Sequence, residues 1–76
     1  MSKTTDQLVR IAAAGGGITI KASDKTTDQL VRIAAAMASS SHQNKPTLTL
    51  YEANTKTTDQ LVRIASAGRG CVNFVL

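Results

Sequence analysis

KTTDQLVRIAAA fills residues 3–14, recurs letter for letter at 25–36, and returns at 56–67 with Ser66 as its single change from alanine. The copies begin at residues 3, 25 and 56, so the unit is 22 and then 31 residues long, a length that suits one helix followed by one strand. Each copy carries a helix start. Thr4 and Gln7, Thr26 and Gln29, and Thr57 and Gln60 have the spacing of a capping box, in which a threonine hydroxyl and a glutamine side chain satisfy each other's free backbone amides. Asp6 lies near the positive helix end and four residues before Arg10, a spacing that predicts an intrahelical ion pair; Asp28 with Arg32 and Asp59 with Arg63 repeat it. Leu8, Ile11 and Ala12, flanked by Val9, form an apolar stripe at helical period. Gly15 is expected to stop the first helix and Gly68 the third. The second has no such glycine and is expected to run to Met37 or Ala38, before a polar connection from Ser39 to Lys45 that reads as the most mobile internal segment.

After each helix the period changes from 3.6 to 2. Ile18, Ile20 and Ala22 alternate with Thr19 and Lys21; Leu48 and Leu50 with Thr47, Thr49 and Tyr51; Val72, Phe74 and Leu76 with Cys71, Asn73 and Val75. Strands separated by a helix pair in parallel through right-handed crossovers. If the strand order reversed direction, helices would cover both faces of the sheet and the strands would be apolar on both sides, which they are not. The expected fold is therefore α/β: a two-layer repeat of three helix–strand units, with a three-stranded parallel sheet of order 1-2-3 and all three helices on one face. The chain, 1–76, reads as one domain with units 3–24, 25–55 and 56–76.

Such a domain has a thin core. Of 76 residues, 42% are hydrophobic, but eleven are alanine, and Leu, Ile, Val and Phe together supply only 17. At this size a fold buries about 60% of the surface that its unfolded chain exposes, so association is a natural way to complete the burial. The bare edges of the sheet and its open face, carrying Thr19, Lys21, Thr49, Tyr51, Asn73 and Val75, are the expected partner surface. A homodimer is the expected assembly, and a non-enzymatic interaction or structural module that self-associates through a strand edge or the open face is the expected function. The protein partner beyond a second copy is not specified by the sequence.

The net charge of +4 raises the alternative of a basic accessory nucleic-acid-binding protein. Each repeat contributes Lys, Arg and Asp, and repetition aligns Arg10, Arg32 and Arg63 in one row and Lys3, Lys25 and Lys56 in a second, both able to track phosphates. The aspartates one turn before the arginines oppose this by neutralising their row. Tyr51 and Phe74 are the only aromatic residues, too few for a base-stacking face.

No catalytic or metal site is expected. His42 is the only histidine and Cys71 the only cysteine, so neither a metal shell nor a sequence-adjacent nucleophile and base can be assembled. Gly15-Gly16-Gly17 follows a helix, whereas a phosphate loop precedes one, and no cofactor is implied. No apolar run approaches the roughly 20 residues that cross a bilayer, Met1-Ser2-Lys3 opens no secretion signal, and a lone cysteine suits a reducing compartment, so a cytoplasmic location is expected. TTDQLVRIAAAGGG, residues 4–17, resembles the first helix and glycine-bearing turn of the DNA-reading repeats of transcription activator-like effectors. That family's repeat continues into a second helix. Here Ile18 to Ala22 alternates as a strand, so the base-reading residues have no positions to map to and the resemblance implies no DNA reading.

Overall fold

All three helices start where the threonine–glutamine pairs place them. In the computed structural model, which describes residues 4–40 and 46–76, the backbone N–H of Thr4 donates to Gln7 Oε1 at 3.0 Å while the Gln7 N–H donates to Thr4 Oγ1 at 3.2 Å. The same reciprocal bonds, at 2.9 and 3.2 Å, join Thr26 with Gln29 and Thr57 with Gln60. The helices are α1 (Thr5–Ala13), α2 (Thr27–Ser39) and α3 (Thr58–Gly68), and the strands are β1 (Ile18–Lys21), β2 (Leu48–Tyr51) and β3 (Val72–Val75), alternating along the chain.

Helix ends differ where the local chemistry does. Gly15 closes α1 as expected: it adopts φ 98° and its N–H donates to Ala12 O at 3.0 Å. Gly68 does not close α3. It is the last helical residue and is buried, and Arg69 takes the left-handed turn at φ 47°, followed by Gly70 at φ 89°. A Cβ on Gly68 would overlap Val72 Cγ2 and stand 3.4 Å from Ala34 Cβ, so this glycine serves the close approach of α3 to β3 and α2. Helix α2 runs two residues past Met37, to Ser39, and is capped by Ser40; the polar connection beyond it, at 41–45, lies outside the described residues, as does Lys3.

The sheet is parallel with order β1-β2-β3. Its register sets the side chains in rows of three. Ile18, Leu48 and Val72 form one inward row and Ile20, Leu50 and Phe74 the other, all turned to the helices. Because β2 has a strand on both sides and α2 a helix on both sides, the largest fully buried side chains include Leu48 and Leu50 from β2 and Leu30, Ile33 and Met37 from α2, with Ile64 from α3. The core is thus centred on the middle unit and thins toward each side.

Strand β1 stops one residue short of the alternation. Ala22 opens a 3₁₀ turn, Ala22–Asp24, whose counterpart Ala53–Thr55 follows β2. The alanine leading each turn is fully buried, so the apolar letter that continued the strand pattern is there to seal the strand-to-helix corner. Before the second turn Glu52 takes φ 55°, and its carbonyl accepts from the Thr55 N–H at 3.2 Å and from Thr55 Oγ1 at 2.9 Å.

Candidate interaction surfaces

The face of the sheet away from the helices carries two rows: Thr19, Thr49 and Asn73, then Lys21, Tyr51 and Val75. All six residues of the expected partner surface therefore lie together on one polar face, with Tyr51 and Val75 among its exposed members. Lys21 Nζ reaches Glu52 Oε2 at 3.4 Å, a solvated pair of little energetic weight.

The arginine and lysine rows are less free than their spacing suggested. Among the described residues no intrahelical Asp–Arg pair forms; instead, Arg32 Nη2 donates to Asp6 Oδ1 at 2.8 Å and Arg63 Nη2 to Asp28 Oδ1 at 3.0 Å, each bridging neighbouring helices. In both pairs the carboxylate lies on the helix against which the arginine's own helix packs. Among the described residues Arg10 and Asp59 are left without an ion pair, one at each end of the helix layer. In the lysine row, Lys56 Nζ donates to the backbone carbonyl of Lys25 at 3.1 Å, another link from one unit to the one before it.

Identical letters in the three helices acquire different environments. Ile33 and Ile64 are 0% exposed, whereas Ile11, their equivalent in α1, is 39% exposed. Gln29 and Gln60 are half-buried where Gln7 is exposed, and Ala36 and Ala67 pack partly against the core where Ala14 is exposed. Gln7, Arg10, Ile11 and Ala14 together line a shallow depression of ≈ 400 Å³ on the outer side of α1. The opposite pattern holds on the outer side of α3. Thr5 and Thr27 are buried but Thr58 is exposed, and Val9 and Val31 are half-buried where Val62 is 56% exposed. Among the described residues, each end of the helix layer thus lacks a neighbour that every internal face possesses. Of these residues, periodicity marked the isoleucines and valines only as parts of a common stripe; exposure at the ends follows from the order in which the helices stack.

Cys71 is buried. No group of three or more His, Cys, Asp or Glu side chains among the described residues could hold a metal ion, and no described helix is long and apolar enough to cross a membrane. His42 lies outside the described residues. Gly15, Gly16 and Gly17 join α1 to β1, so their turn stands at a helix C-terminus. No protein-family model, curated protein or solved structure matches the chain. By its fold it is a two-layer α/β repeat protein whose surfaces of interest are the open face and the two uncovered ends.

Proposed function

We propose that this chain is a non-enzymatic structural or interaction module that self-associates, a pair of chains being its smallest assembly. The supporting observation is the coincidence of incompletely covered elements at the same places. Among the described residues, strands β1 and β3 each have one edge with no strand alongside, and the large exposed apolar side chains Ile11, Tyr51, Val62, Val75 and Leu76 lie on the outer helices, on the open face, or at and just after β3. A bare strand edge invites a further strand, and a thin core gains from added burial.

The other candidate role, accessory nucleic-acid binding through Lys3, Lys25, Lys56, Arg10, Arg32 and Arg63, has weaker support, because Arg32 and Arg63 are each engaged by an aspartate. Sedimentation equilibrium across a concentration series tests self-association directly. A weight-average mass rising above the 8.0 kDa of one chain supports it, and a constant single-chain mass at the highest concentration refutes it. A mobility shift with random duplex at low salt that disappears on adding salt would favour the nucleic-acid role instead.

A further inference from the structure

We infer that copies of this chain stack head to tail, the Val62 side of α3 and the free edge of β3 in one copy receiving the Ile11 side of α1 and the free edge of β1 in the next. This rests on the self-association proposed above and specifies its geometry. Inside the molecule one junction is built twice from the same letters. At α1–α2, Arg32 pairs with Asp6 and Ile33 is buried; at α2–α3, Arg63 pairs with Asp28 and Ile64 is buried. The receiving side of each junction carries Val9 or Val31 and a buried Thr5 or Thr27.

The two ends are the unused halves of that junction. Arg10 and Ile11 stand ready on α1 with the same letters that α2 and α3 insert, and Asp59, Val62 and Thr58 stand ready on α3 with the letters that α1 and α2 use to receive them. The repeat's one departure, Ser66 for Ala13 and Ala35, falls on α3 and keeps a small side chain there. The sheet continues in step: extending the observed register past β3 sets Val72 and Phe74 beside Ile18 and Ile20 of the next copy, prolonging both apolar rows.

Charge selects this arrangement over a two-fold one. Head to tail, Arg10 meets Asp59; a symmetric contact through either end would set Arg10 against Arg10 or Asp59 against Asp59. A head-to-tail contact has no built-in stop, and sheet twist of roughly 20–25° per strand turns each three-stranded copy by about 60–75° relative to the last. The product is an open helical array, with mass that grows with concentration instead of levelling at two chains.

The experiment uses two end-blocking variants, Ile11→Glu and Val62→Glu, at positions exposed enough for the isolated chain to accept the charge. Light scattering after size exclusion gives the mass of wild type, of each variant and of their equimolar mixture, with far-UV circular dichroism to verify helix content. Wild type is expected to exceed two chains as concentration rises. Each variant alone is expected to elute at one chain mass, its self-association weakened by about a hundredfold through burial of an unpaired carboxylate. Their mixture is expected to give a 1:1 pair and nothing larger, because one intact junction remains and the two outer ends carry the glutamates. Recovery on mixing also shows that both variants are folded. Continued association of either variant alone, or a mixture of folded variants that stays at single-chain mass while wild type associates, overturns the head-to-tail geometry and leaves self-association standing. Wild type fixed at one chain mass removes both.

Discussion

Ile11, Ile33 and Ile64 sit in the same local sequence, so replacing each by alanine isolates what tertiary position contributes. Truncation removes three carbons, about 2.4 kcal/mol of transfer free energy at roughly 0.8 per carbon, and Ala regains a few tenths in helix propensity equally at all three sites. Ile33 and Ile64 are fully buried, so a cavity adds to the loss and each substitution is expected to cost about 3–4 kcal/mol. Ile11 already exposes 39% of its surface and leaves an open depression, not a sealed void, so Ile11→Ala is expected to cost about 1–1.5 kcal/mol. A domain of 76 residues has a total stability of about 4–11 kcal/mol, so the two buried variants sit near the limit of folding. The assay is urea unfolding followed by far-UV circular dichroism at about 1 µM chain, low enough to favour single chains over weak assemblies, with costs taken from midpoint shifts at a common m-value. Three equal costs, or the largest loss at Ile11, would refute the stacking order of the helices.

Three further outcomes are expected. Phe74→Ala, which truncates a half-buried ring on the outermost strand, should cost about 2 kcal/mol, while Asn73→Ala on the open face should be near neutral; the reverse ranking in the same unfolding assay would invert the facing of β3. Adjacent threonines should respond with opposite sign. Thr26→Ala loses half of a capping box and about 1 kcal/mol, whereas Thr27→Val replaces a buried hydroxyl that has no hydrogen-bond partner and should gain about 1 kcal/mol, read as opposite shifts in thermal midpoint. Arg69→Gly relieves a left-handed backbone at φ 47° and should stabilise by about 0.5–1 kcal/mol; a loss of that size would show that the arginine side chain contributes more than the strain it imposes.

Helix starts, strand facing and sheet order were legible in the letters because each depends on contacts between near neighbours or on a period. The Thr–Gln box closes over three residues, and a strand with one apolar side admits only one layer of helices. The fold class followed from those signals alone. What the letters could not carry is any difference between copies that are the same. Whether Arg32 turns to Asp28 on its own helix or to Asp6 on the helix before it is decided by a neighbour far along the chain, and the geometry of α1 against α2 settles it for Asp6. Gly68 looked like a stop because glycine ends helices, yet Val72 and Ala34 crowd its missing Cβ and pass the left-handed turn to Arg69. Ile11 and Ile33 have the same propensity and the same place in their helices, and only the presence or absence of a preceding helix makes one a core residue and the other the floor of an open depression. Sequence determined the repeating unit; the stack of three, which leaves an arginine unmatched at one end and an aspartate unmatched at the other, exists only in the tertiary structure, since an end is a property of position and not of a residue's identity.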